Sequence, residues 1–376
     1  MRIAMFSDSY YPYISGVTRA IAVARDTLIN LGNEVSLFCP AYPGAVREEG
    51  VHRFASFRAP TNAGYYVAYP IFRHLSAYLH RDRPDVVHIH SPFNLGKAGW
   101  RTARRLGIPV VFTYHTMYNM YSHYVPLFGR SVSGFVEGSA LRVAGAVDAV
   151  ITPSTALADY LKSRGVSSPI HAIPNGIDVH EFRTGDPAYL RRTINIPPKS
   201  KVILTCSRLG AEKNVETLLL AFAEARKSVD AFLVLVGDGP LRGRLESLAE
   251  TLGVSNSTHF TGSVPPERMP HLYAGADMFL FASLTDTQGL VVVEAKAAGL
   301  PAVAVGALGV KDMVSHCEDG FLCGNDPGEL ARRITELLGD PATLASMKAA
   351  AMGNASRFSK EASAKRLLDC YQSVLR

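Results

Sequence analysis

The feature that most limits the fold of this chain is an alternation. Short apolar runs and amphipathic stretches follow one another along most of its 376 residues. RIAMFSD, NEVSLFCP, DVVHIH, GIPVVFTYH and DAVITPS read as strands, with helical patterns such as VTRAIAVARDTLINLG and TALADYLKSRG between them. The turn-rich stretch SPIHAIPNGIDVHEF, with Pro174, Asn175, Gly176 and Asp178, ends this series and reads as a linker. A second series starts at KVILTCSRL and continues through AFLVLVG, THFTG, ADMFLFAS and PAVAV. Repeated strand–helix units build parallel sheets with helices on both faces. Two series therefore predict an α/β chain of two Rossmann-like, doubly wound domains with a cleft between them. The expected domains are 1–172 and 173–356, with the closing helix 357–376 packing back on the first. Length agrees, since 376 residues are many for one core.

Composition excludes several classes. Hydrophobic residues make up 47% and charged residues 19%, which suits a globular chain and not a disordered one. No apolar run is long enough to span a bilayer, and Asp8 comes too early for a signal-peptide core. These points lead to the expectation of a cytoplasmic protein. Cys39, Cys206, Cys317, Cys323 and Cys370 are scattered, with neither metal-ligand nor disulfide spacing. Charge is uneven: residues 1–170 carry 17 Lys+Arg against 10 Asp+Glu and hold 13 of the 16 tyrosines. The rest carries 22 against 23. A basic, Tyr-rich first half suits an anionic membrane surface, a nucleic acid or a phosphorylated ligand.

The stretch with most chemistry is DTQGLVVVEAKAAGLP, from Asp286 to Pro301. It reads as loop then helix, with Asp286 in the loop, Gly289 before the helix and Glu294 inside it. A helix N-terminus at a strand's carboxyl end suits an anionic or polyhydroxylated ligand. Taken alone, the stretch is equally an ordinary crossover with surface carboxylates. Arg208 and Lys213 share the loop CSRLGAEKN before another helix, where two cations suit a diphosphate. Gly16 opens the first helix and lets the backbone approach a ligand, but no G-x-G-x-x-G fingerprint surrounds it. His115 ends the strand GIPVVFTYH. The segment after it carries Tyr118, Tyr121, His123 and Tyr124 in no regular pattern, either as a functional segment or as a packed loop. Lys97, Arg101, Arg104 and Arg105 form one helical stripe, either a solvated face or an anionic-lipid contact.

Taken in order, FSDSYYPYISGV, DVVHIHSP, TYHT, ITPS, IPNGIDVHEF, SRLGAEKN, LVGDGPLR, FTGSV, DTQGLVVVEAKAAGLP and DGFLC resemble the retaining GT-B glycosyltransferases of family four. TYHTMYNMYSHYVP and DTQGLVVVEA look most like the bacterial 1,2-diacylglycerol glucosyltransferases. The phosphatidylinositol mannosyltransferases are also similar. The resemblance implies transfer of a hexose, glucose first, from a nucleotide sugar to a lipid acceptor such as diacylglycerol, with retention of configuration. Phosphatidylinositol or a soluble sugar or alcohol are the alternative acceptors, and a GT-B nucleotide-sugar epimerase is a remoter alternative.

By the same resemblance the donor binds the second domain, a UDP-hexose ahead of a GDP-hexose. Arg208 and Lys213 would meet its diphosphate and Glu294 its ribose. Asp286 would meet sugar hydroxyls, and the backbone at Gln288, Gly289 and Leu290 the sugar or phosphate. The Gly16 loop would close over the phosphates. His115 would act beside the reacting carbon, and Tyr118, Tyr121, His123 and Tyr124 would serve the acceptor. No cofactor, no metal and no nucleic acid are expected. An anionic membrane surface at the inner face of the cell membrane is the expected partner, and the oligomeric state is not legible. The chain departs from the family at Asp286, where Glu is usual, and at Ser15, where the first glycine of a Gly-Gly loop is usual.

Overall fold

The computed structural model describes residues 1–59, 64–69, 72–117 and 129–375, with the side chains of 72–74 and 129–133 set aside. It divides into two compact units: Met1–Gly176 with Lys360–Arg376, and Ile177–Ser359. The crossings fall at 176/177 and 359/360, a few residues beyond the 172/173 and 356/357 expected from the sequence.

The first unit runs β1 (Arg2–Phe6), α1 (Gly16–Asn30), β2 (Glu34–Pro40), β3 (Val51–Phe54), β4 (Ser56–Arg58), β5 (Tyr66–Ala68), α2 (Phe72–Asp82), β6 (Val86–Ile89), α3 (Asn94–Leu106), β7 (Val110–Thr113), α4 (Gly129–Ala144), β8 (Ala149–Thr152), α5 (Thr155–Ser163) and β9 (Ile170–Ala172). The second runs α6 (Tyr189–Ile194), β10 (Lys201–Cys206), α7 (Val215–Ala225), β11 (Ala231–Val236), α8 (Arg242–Thr251), β12 (Thr258–Gly262), α9 (Met269–Ala274), β13 (Met278–Phe281), α10 (Leu290–Ala297), β14 (Ala302–Val305), α11 (Val310–Met313), β15 (Gly320–Cys323), α12 (Pro327–Gly339) and α13 (Pro341–Asn354). The closing helix α14 (Lys360–Val374) returns to the first unit.

Local chemistry sets the helix starts. Ser15 caps α1 through a capping box: its Oγ accepts from Thr18 N (3.2 Å) while Thr18 Oγ1 accepts from Ser15 N (2.8 Å). Asp326 and Asp340 cap α12 and α13 ahead of Pro327 and Pro341. There a proline costs nothing, because its missing N–H would have been unpaired.

Both sheets are parallel. The first has the order β3-β2-β1-β6-β7-β8-β9 and the second β12-β11-β10-β13-β14-β15. A two-stranded antiparallel sheet, β4–β5, adds to the first unit. Strand residues of the second sheet alternate between two cores: Ile203, Leu233, Leu280 and Val303 face one way, Val202, Val234, Phe279 and Ala302 the other. Burial on both faces explains why these strands read as unbroken apolar runs. In the first unit, Ala364, Leu367, Cys370 and Tyr371 of α14 join Ile21 and Leu28 of α1 in one buried cluster. Each sheet has one switch point, where the chain reverses its direction of travel across the sheet: β1/β6 in the first, β10/β13 in the second. Ligands of such sheets bind beyond the carboxyl ends of the strands at that point.

Candidate active site

The second unit gathers the predicted residues at its switch point. Arg208 and Lys213 lie in the segment after β10, and Asp286, Gln288 and Gly289 in the segment after β13, with Leu290 opening α10. The two segments are tied together. Leu284 N donates to Glu212 O (3.3 Å), and Asn214 Nδ2 donates to Ala282 O (3.3 Å) and to Asn325 Oδ1 (2.8 Å). Across this join, Lys213 Nζ donates to both carboxylate oxygens of Asp286, at 2.9 and 2.8 Å. Arg208 stays about half exposed, with its Nη1 3.7 Å from Glu212 Oε1.

The turn into α10 depends on two glycines. Gly289 takes the left-handed conformation (φ 85°) at the cap position. Gly309 donates its N–H to Asp286 O (3.2 Å), and a Cβ there would stand 2.0 Å from Thr287 O. Only glycine lets that backbone lie so close. Gln288 is buried, and Glu294 is 2% exposed, with Tyr273 OH donating to its Oε2 at 2.9 Å. The carboxylate is therefore oriented from inside the unit. Two residues along α10, Lys296 forms a fully buried ion pair with Asp319 (2.6 Å) and also donates to Met313 O (2.6 Å). Asp319 accepts further bonds from Ser315 N and Asn354 Nδ2. This network pins the helix that carries Glu294.

The first unit also concentrates its polar groups at its switch point. Gly16 begins α1 with no atom within 4 Å of where a Cβ would be, so the helix start has open space beside it. The hydroxyl of Ser15 is spent on the cap. Asp8, after β1, is buried and accepts from Leu95 N (2.8 Å), Gly96 N (3.4 Å) and Ser91 Oγ (2.7 Å). It thereby binds the start of α3 to the end of β1. Burial raises its pKa and these hydrogen bonds oppose the rise.

Three histidines stand side by side at the ends of β6 and β7. His88 shares hydrogen bonds with Tyr371 OH of α14 (2.7 Å, through Nδ1) and Thr113 Oγ1 (2.6 Å, through Nε2). His90 Nδ1 lies 3.1 Å from His115 Nε2, with the two rings nearly parallel. Burial keeps all three neutral at pH 7: it pushes His88 down to about 3, His115 to about 4, and His90 well below the usual range.

Of the sequence candidates, the structure thus brings Arg208, Lys213, Asp286, Gln288, Gly289, Leu290 and Glu294 to one switch point, and Gly16 and His115 to the carboxyl edge of the other sheet. Tyr118, Tyr121, His123 and Tyr124 lie outside the described residues. Sequence reasoning gave no role to Asp8, His90, Tyr273, Gly309 or the Lys296–Asp319 pair. Asp8, His90, Lys296 and Asp319 do fall inside the stretches FSDSYYPYISGV, DVVHIHSP, DTQGLVVVEAKAAGLP and DGFLC, whereas Tyr273 and Gly309 fall in none of them. Among the described residues, no group of three or more His, Cys, Asp or Glu side chains is arranged to hold a metal ion.

Two parallel doubly wound units, each with its polar side chains gathered at the switch point, define the class: a GT-B glycosyltransferase. The chain belongs to glycosyltransferase family four, since residues 14–181 match the Glycosyltransferase Family 4 profile and residues 189–355 that of Glycosyl transferases group 1. It is 32% identical over 349 residues to the alpha-monoglucosyldiacylglycerol synthase of Streptococcus pneumoniae, covering 90% of this chain and 78% of that one. It is 31% identical over 346 residues to a GDP-mannose-dependent alpha-mannosyltransferase of Mycobacterium tuberculosis, covering 89% and 86%. Among solved structures, Anabaena Alr3699/HepE in complex with UDP-glucose shares the fold, with a TM-score of 0.76 at 21% identity over 99% of each chain.

Proposed function

We propose that this chain transfers glucose from UDP-glucose to 1,2-diacylglycerol with retention of configuration and without a divalent metal, at the inner face of a membrane. The observation that carries the reading is the set Arg208, Lys213, Asp286 and Glu294 at the second switch point, in a chain similar to a monoglucosyldiacylglycerol synthase. Arg208 and Lys213 take the diphosphate, where they offset the negative charge that grows on the leaving group as the glycosidic bond breaks. This gives the role often filled by a metal ion to side chains. Glu294, already aimed by Tyr273, accepts from two ribose hydroxyls. Asp286 meets sugar hydroxyls while holding Lys213, and the N–H groups at Gln288, Gly289 and Leu290 meet the sugar or phosphate. Gly16 leaves room for the phosphates. His115 donates a hydrogen bond near the reacting carbon, and the segment with Tyr118, Tyr121, His123 and Tyr124 receives the acceptor.

The lipid part is supported by the first unit. It carries 21 Lys+Arg against 12 Asp+Glu, a net of +9, whereas the second carries 18 against 21, a net of −3. Phe57 of β4 and Tyr69, the residue after β5, are 41% and 56% exposed, with ring centroids 4.9 Å apart. Exposed aromatics beside a net positive charge suit an anionic bilayer surface. No helix among the described residues is long and apolar enough to cross a membrane, so binding at the surface is the mode proposed. The mannosyltransferase relative favours a second reading, the same chemistry with GDP-mannose. Thermal-shift titration separates them, because a ligand that binds the folded state raises apparent stability by mass action. UDP and UDP-glucose should raise Tm and GDP-mannose should not. The reverse order would replace glucose by mannose. Sedimentation with anionic vesicles at low and high salt tests the surface. No binding at either would remove the membrane.

A further inference from the structure

The basic stripe of α3 has no part in the site described above. Asn94, Arg101 and Arg105 fall at i, i+7 and i+11, which is one face of a helix, with Arg104 and the half-buried Trp100 beside them. The inner side of α3 lies on the first sheet: a Cβ on Gly99 would stand 2.7 Å from the Phe6 ring. Phe6 is on the face of β1 opposite Ile3 and Met5, which pack with α1 and α14. The stripe is thus the outer side of one helical layer, and α14 belongs to the layer across the sheet.

Among the described residues, nothing answers the charge of this stripe. Helix α3 carries four cations in 13 residues and no acidic residue. Lys97 donates to Ser139 Oγ of α4 (2.6 Å). Burial, and then Arg101 and Arg142, hold the pKa of Lys97 below its ordinary value, so these cations crowd together. Arg101, Arg104 and Arg105 are exposed and have no ion-pair partner among the described residues. Arg25, Arg53, Arg81 and Arg164 of the same unit each lie 2.6 to 3.7 Å from a carboxylate oxygen. Like charges four positions apart repel. The negative end of the helix accounts for Arg104 and Arg105, but not for Arg101 or for a tryptophan beside the cluster. Trp100, Arg101, Arg104 and Arg105 line one open recess. Asp85 and Asp148 stand in the recess next to it, and they accept from Arg2 N (2.7 Å) and Val110 N (2.9 Å). The other end of the stripe meets the exposed aromatics. Asn94 Nδ2 donates to Ala68 O (3.3 Å), so the head of α3 abuts the residue before Tyr69.

We propose that this face of α3, from Phe57 and Tyr69 at its head to Trp100, Arg101, Arg104 and Arg105 at its foot, is the surface on which the first unit docks to an anionic phospholipid bilayer. The arginines meet lipid phosphates, and the aromatic rings enter the headgroup layer. From Asn94 to Arg105 the helix rises about 16 Å, so both groups reach one bilayer surface when α3 lies along it. The head of α3 follows the carboxyl end of β6. The exposed aromatics therefore stand at the edge of the sheet that carries Gly16 and His115, where a lipid acceptor would enter from the bilayer. The inference rests on the membrane part of the reading above and adds the place of contact.

The test uses the full chain and vesicles of phosphatidylglycerol and phosphatidylcholine in equal parts. Trp100 is the one tryptophan of the sequence, so its emission reports on this face without a label. A nitroxide on the lipid headgroup should quench that emission about twofold at low salt, and high salt should restore it. In sedimentation, Arg101→Gln combined with Arg105→Gln should weaken vesicle binding about twentyfold, since each basic residue near an anionic surface is worth about fivefold. The charge-matched pair Lys365→Gln and Arg366→Gln, on α14 across the sheet, should change it less than about threefold. Both double variants should keep the wild-type rise of Tm with UDP. If the wild type binds vesicles but Trp100 is not quenched, or the two double variants weaken binding equally, this face is not the contact and the membrane reading stands. If the wild type binds no vesicles, both fall. A change of Trp100 emission with RNA and none with vesicles overturns the proposal in favour of a polynucleotide. Should the Arg101 and Arg105 variant fail to fold, quenching of Trp100 in the wild type still decides.

Discussion

Lys213 Nζ lies 2.9 and 2.8 Å from the two carboxylate oxygens of Asp286, so the cation assigned to the donor's diphosphate is held by the carboxylate assigned to its sugar. Each group limits the charge of the other. Both are only partly exposed, 18% and 23% by side chain. Asp286→Asn should therefore release Lys213 and tighten binding of UDP alone by about twofold to fivefold, the scale of such a pair. The same variant should lower transfer, because the sugar contact is lost. Isothermal titration with UDP, set beside turnover, checks the two opposite signs. Weaker UDP binding would show that the pair does not restrain Lys213.

Glu294 is buried and held by Tyr273 OH at 2.9 Å. Glu294→Gln keeps a side chain of the same size that still accepts that bond through its carbonyl oxygen, so its Tm should stay near wild type. Donor KM should rise about tenfold or more, since a neutral amide accepts more weakly from two hydroxyls than a carboxylate does. Tyr273→Phe should lower stability by about 1 kcal/mol, the net worth of one hydrogen bond, and raise KM less than Glu294→Gln does. Donor saturation curves and thermal melts of both variants test this.

The Lys296–Asp319 pair has no exposed side-chain surface on either partner. Removing one partner leaves a charge buried alone, which typically costs about 3–5 kcal/mol. Lys296→Met should therefore destabilise the fold severely, and Asp319→Asn by a similar amount. Because α10 carries both Lys296 and Glu294, nucleotide affinity should fall with stability. Denaturant unfolding of the single variants checks the magnitude. A loss under 1 kcal/mol for both would mean that the pair does not hold the helix.

The neutral histidines link stability to pH with a definite sign. Below about pH 6.5 the unfolded chain protonates them, while the folded chain resists until about 4 at His115 and about 3 at His88. Their contribution is complete above pH 6.5 and is lost as pH falls through that window, by up to about 1.4 kcal/mol per pH unit for each histidine. Urea unfolding between pH 7 and 5, mostly above the carboxylate range, should show stability falling with pH. His88→Gln should give a shallower slope. A flat profile would contradict burial of neutral rings.

The fold was largely legible in the sequence. Strands buried on both faces, such as VIL in β10 and MFLF in β13, are apolar on both sides, and that pattern shows in any reading. Much of the candidate site in the second unit was legible for a related reason, since Arg208, Lys213 and Asp286 lie in the segments that follow such strands. What stayed hidden depends on partners far apart in the chain. Tyr371 meets His88 across 283 positions, and Asp8 meets Leu95 across 87. Neither pairing leaves a local spacing. Lys296 reads as an ordinary helix lysine until Asp319 is brought against it. Gly309 stands in a plain loop, and only the close approach of Thr287 explains it.

The most direct test of the central claim is the product itself. Purified protein is incubated with UDP-[¹⁴C]glucose and vesicles of 1,2-diacylglycerol in anionic phospholipid, with EDTA present, and the organic extract is analysed by thin-layer chromatography, mass spectrometry and NMR. Retaining transfer to diacylglycerol gives a monoglucosyl diacylglycerol with an α-anomeric linkage, lost in Lys213→Ala and Glu294→Ala. A water-soluble glucoside formed equally well without diacylglycerol would contradict it, as would a β-linked product or label incorporated only from GDP-mannose.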